Sequence, residues 1–191
     1  MPKLGMEPVR RAALVEATIA EIGAAGSLDV TVGQIAKRAG MSTALAHHYI
    51  GGKDQIFLAA MREILRQFGA EVIAGLRAAH TPRARAEALI AASFAPSCFD
   101  PATVSAWMTL YAQATTQTET HRLLRLYQRR LSANLTYALR PLSKTPRADA
   151  ELLGALIDGL YLRAALADDT DPKAAQAVAL RTLDTLIGAQ Q

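Results

Sequence analysis

The chain has 191 residues, 51% of them hydrophobic and 20% charged, with one cysteine and a net charge of +4, enough to bury the core of one ordinary domain or of two small ones that share helices. This apolar content excludes a disordered tail protein, and Cys98, with no second cysteine to pair with, excludes a disulfide scaffold and fits a reducing compartment. The longest uncharged stretch, between Asp100 and Glu119, is too rich in Thr, Ser and Gln to span lipid, and the first residues carry no apolar secretory run, so a cytoplasmic protein is expected.

Strand-like alternation is nearly absent, whereas Ala and Leu recur at helical spacing throughout, which predicts an all-α protein of about nine helices. The first runs from about Glu7 to Ala25, with Pro8 in its first turn. Val9, Ala13, Ala17, Ala20 and Ala24 lie near one stripe, Leu14 and Ile22 stand beside it, and Gly26 is the stop. Thr31-Val32-Gly33-Gln34 reads as a capping box opening a short helix to about Arg38. Ala39-Gly40-Met41 makes the turn, and Ser42 caps the next helix, Thr43 to about His48. Gly51-Gly52 then breaks the chain before a long helix over 52–79. Further on, Thr81-Pro82, Asp100-Pro101, Thr145-Pro146 and Asp171-Pro172 each read as a cap followed by a first-turn proline. They predict helices over 82–95, 101–117, 119–140, 147–167 and 172–188.

Charge is unevenly spread along this order. Residues 148–191 hold three basic residues against seven acids, a net of −4, and residues 1–147 carry the balance of +8. A basic front can face a polyanion while the back serves elsewhere; an unevenly charged solvated surface is the other reading. Residues 1–53 account for only +2 of the excess.

Residues 31–49 are two short helices around the Gly40 turn, with Ile35, Ala36, Ala39 and Leu45 available as a shared core. Such a unit presents the start of its second helix to the DNA major groove while its first helix crosses the backbone. Two short helices around glycine also occur in all-α proteins that bind no DNA. Gly40-Met41-Ser42, then His48-Tyr49-Ile50-Gly51-Gly52-Lys53-Asp54 ahead of a long helix, resembles the DNA-binding domain of the TetR family of repressors.

The two ends of the chain, Met1 to Met6 with Arg10-Arg11, and Ala155 to Leu166, are similar to the choline-responsive members of that family, which repress glycine betaine synthesis genes. The resemblance implies a helix-turn-helix domain over 1–51 and a ligand-binding and dimerisation domain over 52–191. It implies that Thr31, Ser42, Tyr49 and Lys53 meet phosphates, that Thr43, Ala44, His47 and His48 face bases or the groove wall, and that Lys37 belongs to the same DNA-binding surface. The chemistry agrees: hydroxyls at helix starts stand beside free N–H groups, and Lys53 adds a point charge. Met41, Ala44 and Ile50 depart from the family's commoner valine, glycine and phenylalanine, and His47 stands where a phosphate-contacting tyrosine is frequent. The histidine pair also reads as solvated polar side chains. Adjacent histidines point about 100° apart on a helix, so they form no two-ligand metal face. No metal or cofactor is expected.

The partners expected are a palindromic double-stranded DNA operator, a second copy of the chain and a small-molecule effector such as choline. Leu152, Leu153, Leu156, Ile157, Leu160 and Ala164, with Val178, Leu180, Leu183 and Ile187, suit a four-helix interface between two copies, or else close an internal core. Trp107, Tyr111, Asp158 and Tyr161 offer aromatic faces and a carboxylate for a quaternary ammonium ion, or else ordinary core, with Arg163 an alternative partner for Asp158. Arg122, Arg125, Arg129 and Arg130 form a basic stripe, read as a second nucleic-acid surface or a solvated face. An enzyme motif is absent, and an all-α adaptor is the remaining class.

Overall fold

Side-chain caps start most of the helices, and their positions follow the order read above. The computed structural model describes residues 6–26, 29–168 and 171–188. The segment 1–5, used above for a family likeness, and Asp169, counted above for charge, lie outside the described residues. The elements are α1 (Met6–Ala25), α2 (Val32–Arg38), α3 (Thr43–Ile50), α4 (Lys53–Ala78), α5 (Pro82–Ser93), a 3-10 turn (Pro96–Phe99), α6 (Pro101–Ala114), α7 (Thr118–Leu139), α8 (Pro146–Ala165) and α9 (Pro172–Gly188). The 3-10 turn has no counterpart in the sequence reading. Among the described residues, no helix is long and apolar enough to cross a membrane.

Thr81 Oγ1 accepts from Ala84 N at 3.0 Å, Asp100 Oδ1 from Ala102 N at 2.9 Å, and Asp171 Oδ1 from Ala174 N at 3.0 Å. Thr145 departs from the expected pattern and caps no N–H. Its hydroxyl bonds Asp149 instead, at 3.3 Å, and Ser143 also donates to that carboxylate. Asp149 is buried, so the hydroxyls that solvate it are drawn away from the helix end.

Two compact units emerge from the contacts: residues through Arg66 with Asp100–Leu123, and Gln67–Phe99 with the chain from Leu124 onward. Helices α4 and α7 contribute to both. This division follows packing and differs from a functional partition at residues 51 and 52, because α1 lies along α6. A Cβ on Gly23 would fall 2.7 Å from Ala102 Cβ, so only glycine permits that approach.

In the first unit α1 presents Leu14, Ala17, Thr18 and Ile22 to the core, and Val9 is 59% exposed. The expected stripe is therefore rotated. The two large side chains set the buried line, and Thr18 enters it because its hydroxyl bonds Leu14 O at 2.7 Å. The second unit closes around α5, α8 and α9, with Leu89, Ile90, Leu153, Ile157, Ala179 and Leu183 buried. Cys98 is buried there, and its thiol donates to Ala92 O at 3.4 Å. Burial and the nearby Glu71 charge push the thiol up to about 11, so it stays protonated and inert at neutral pH.

Candidate functional site

The α2–α3 pair is held by short-range bonds. Thr31 Oγ1 accepts from Gln34 N at 3.2 Å, and the Gln34 side chain accepts the Thr31 backbone N–H at 2.7 Å. Both halves of the capping box are thus formed, a device worth about 0.5–2 kcal/mol per cap. Ser42 Oγ accepts from Leu45 N at 3.2 Å and opens α3. Gly40 turns the chain at φ +68°, in the left-handed region where a side chain is strained, and Gly51 closes α3 at φ +96°. Ile35, Ala36 and Ala46 are buried, whereas Leu45 is only half-buried. The sequence reading chose the larger neighbour; a close helix crossing instead needs the smaller side chain at the contact.

This frame leaves its polar outer face free. Thr31, Lys37, Ser42, Thr43, Ala44, His47, His48 and Lys53 are exposed and Tyr49 is half-buried. A Cβ built on Gly33 would lie 3.7 Å from Thr31 Oγ1 and 3.8 Å from Thr43 Oγ1, so the two hydroxyls flank the first turn of α2. His47 Nδ1 lies 3.0 Å from Gly51 O, which makes Nδ1 the donor and turns Nε2 outward. The His48 ring meets Tyr49 edge-on at 5.4 Å. Arg10 on α1, which the sequence reading left out, donates to Tyr49 Oη at 3.0 Å and stands 5.7 Å over its ring. The starts of α2 and α3 therefore meet at Gly33 through Thr31 and Thr43, and Arg10 of α1 braces Tyr49.

The expected effector residues fall into two pairs. Trp107 and Tyr111 belong to α6 in the first unit, with ring centroids 5.9 Å apart; Trp107 is buried and Tyr111 half-buried. Asp158 and Tyr161 belong to α8 in the second unit. Tyr161 is buried, donates its hydroxyl to Cys98 O at 2.9 Å and packs on Phe99 at 5.2 Å. Asp158 accepts from Tyr127 Oη at 2.9 Å, and Tyr127 in turn meets Phe68 edge-on at 6.0 Å. Burial raises the Asp158 carboxyl above its ordinary value of 3.8, and the Tyr127 bond opposes that rise. Tyr127 and Phe68 were missed as its neighbours because they come from α7 and α4, far away in sequence.

Comparison with known proteins decides between a repressor, an enzyme and an adaptor. Residues 14–60 match the family model for bacterial regulatory proteins of the tetR family, and residues 82–188 match the C-terminal domain of BetI-type transcriptional repressors. The chain belongs to the TetR family. An HTH-type transcriptional regulator BetI of Brucella anthropi is 53% identical over 182 residues, which cover 94% of this chain and 93% of that one. Among solved structures, a TetR transcription regulator of Haloarcula marismortui has a TM-score of 0.81 at 21% identity, covering 96% of this chain and 98% of that one. A regulator of Saccharomonospora viridis in complex with choline has a TM-score of 0.78 at 18% identity, covering 91% and 95%. At these identities the two structures establish the fold.

TetR-family members are transcriptional regulators that bind operator DNA, dimerise and respond to small-molecule effectors. In this TetR-family chain the two readings of the α8–α9 faces divide by residue. Leu153, Ile157 and Leu183 close the core of the second unit, while Leu152, Leu162 and Leu166 are exposed and Leu156, Leu160 and Ala164 half-buried along the outer side of α8. Of the expected basic stripe, all four arginines are exposed, and Arg122 pairs with Glu119 at 3.0 Å.

Proposed function

We propose that the chain is a homodimeric repressor of choline uptake and glycine betaine synthesis genes, acting in the cytoplasm and released or weakened by choline. The observation that carries the DNA half is the outer face of the α2–α3 frame, where hydroxyls, histidines and Lys53 stand exposed on helix ends that are already capped. Thr31, Lys37, Ser42, Tyr49 and Lys53 hold phosphates, while Thr43, Ala44, His47 and His48 face the major groove of a palindromic operator. The exposed side of α8, with Leu152 at its centre, pairs with a second copy.

For the effector, the whole-length likeness to BetI relatives supports choline, and the half-buried Asp158, whose bonding partner is a neutral tyrosine hydroxyl, supports a cation. The same carboxylate disfavours a purely apolar effector. Trp107, Tyr111 and Tyr161 are the aromatic candidates for the same ligand. Since α4 and α7 belong to both units, a ligand that prefers one arrangement of these helices shifts the reading heads; a coupling of about 1–3 kcal/mol suffices.

The test is operator binding by the Tyr49→Ala/Lys53→Ala double variant across a salt series. Weaker binding with a salt slope reduced by about 1 for the lost lysine is expected. Unchanged affinity at every salt concentration sinks the DNA assignment. Calorimetric titration with choline, betaine aldehyde and glycine betaine tests the effector, and absence of heat with all three removes it.

A further inference from the structure

Where α4 hands over to α5, the chain forms one wall of an open cavity of about 340 Å³, and the end of α7 forms the other. His80, Pro82, Arg85, Tyr137, Arg140 and Pro141 line it, all within the second unit, and none of its described lining residues is acidic. Neither Asp158 nor any residue proposed to meet DNA is among them. The volume lies at the lower end of the range for small-molecule sites, about 300–1,000 Å³.

The donors around this cavity lack counter-charge. Elsewhere Arg11, Arg66, Arg83 and Arg122 each hold a carboxylate one turn away on their own helix. Arg85 and Arg140 have no acid three or four residues away in either direction. The side chains of His80, Arg85 and Arg140 make no hydrogen bond or ion pair among the described residues. Arg85 is nevertheless held in place: it is half-buried, its Nε is fully covered, and its guanidinium carbon stands 5.4 Å over the Tyr137 ring. Arg140 lies one turn beyond Tyr137, about 5 Å along the helix axis, and its backbone N–H still donates to Thr136 O at 3.0 Å. The two arginines therefore flank a single ring, within reach of one oxyanion. Their guanidiniums repel one another until an anion joins them, and a carboxylate or phosphate accepts N–H donors from both at once. Tyr137, 60% exposed, forms with Pro82 and Pro141 an apolar wall that a bare ion would leave uncovered.

We propose that this cavity is a second small-molecule site, for an organic oxyanion: a carboxylate or phosphate ester on a compact apolar body. The oxyanion sits between Arg85 and Arg140, and the body lies against Tyr137 and the two prolines. Its ligand is opposite in charge to the cation read at Asp158, so the two sites take different compounds and this one stands without that reading.

Calorimetric titration of the full-length protein at low salt with benzoate, phenyl phosphate, inorganic phosphate and benzyl alcohol tests it. Benzoate or phenyl phosphate binds once per chain. Benzyl alcohol, which has the ring without the charge, binds about tenfold more weakly or less, and so does inorganic phosphate, which has the charge without the ring. Arg85→Gln and Arg140→Gln each weaken the bound organic anion about tenfold. Arg140→Gln, at an exposed side chain without a partner, does so at an unchanged thermal midpoint. Arg130→Gln, on α7 but outside the cavity, leaves binding as it was. The proposal is overturned if neither organic anion binds, if binding survives both arginine changes, or if benzyl alcohol binds as well. Equal affinity for inorganic phosphate reduces the cavity to an ion site and overturns the organic ligand. Competitive displacement by choline would put the anion in the effector site, and displacement by operator DNA would make the cavity a nucleic-acid contact; either outcome defeats the proposal.

Discussion

The α2–α3 pair and the α7–α8 pair handle polar groups in opposite ways. In α2–α3, hydroxyl and amide side chains bond to backbone no more than three residues away, as Thr31 does with Gln34 and Ser42 with Leu45. In α7–α8, they reach across elements: Tyr127 bonds Asp158 from 31 residues away, and Ser143 and Thr145 gather on the buried Asp149. The first arrangement holds a surface at fixed geometry whatever meets it. The second holds charge out of water, at a cost that a ligand or a proton can relieve.

The comparison can be broken at three points. The largest effect belongs to the second region, where Leu153 is fully buried. Leu153→Ala leaves a cavity and costs about 2–5 kcal/mol, read as a lower urea midpoint at unchanged slope. In the first region, Gly40→Val forces a β-branched residue into φ +68° and costs about 1–3 kcal/mol. Operator affinity falls along with the thermal midpoint, because the turn sets the angle of α3. A variant that keeps its stability yet loses operator binding would separate the frame from the surface it carries.

The smallest effect is one of pH. Burial raises Asp158, so the folded protein holds this proton more tightly than the unfolded chain does. Its favourable contribution is complete below the ordinary value of 3.8 and is lost as pH rises through the folded value. Ligand-free Asp158→Asn therefore has the higher thermal midpoint at neutral pH, and its advantage narrows as pH falls through the folded value towards 3.8 and changes no further below it. A constant difference from pH 3 to 8 would contradict the burial of a charge at this site; these bounds span about five units that include the ordinary carboxylate range.

Legibility in the sequence follows the same division. The caps at Thr31, Ser42, Thr81, Asp100 and Asp171 were readable because donor and acceptor lie within three residues. Thr145 broke the rule because a buried acid four residues on competes for its hydroxyl. The α1 stripe was misread by rotation, since an alanine-rich helix looks apolar on several sides and only Leu14 and Ile22 decide which faces inward. Gly23 gave no sign of its role, because its reason is Ala102, on a helix 79 residues later. The basic stripe was half legible. Arg125 and Arg129 share an exposed helix face, while Arg122 pairs with Glu119 one turn away.

One feature of α3 bears on how such a chain changes over generations. The side chains of Thr43 and Ala44 are exposed and make no hydrogen bond or ion pair among the described residues. Exchanging them alters stability by no more than about 0.5 kcal/mol. On the proposed reading of α3 as the groove-facing helix, target choice can therefore drift at these two positions almost without a folding penalty, as letters on a page whose binding is elsewhere. His47 is less free to drift, because its ring is tied to Gly51 O and so helps to end the helix it decorates.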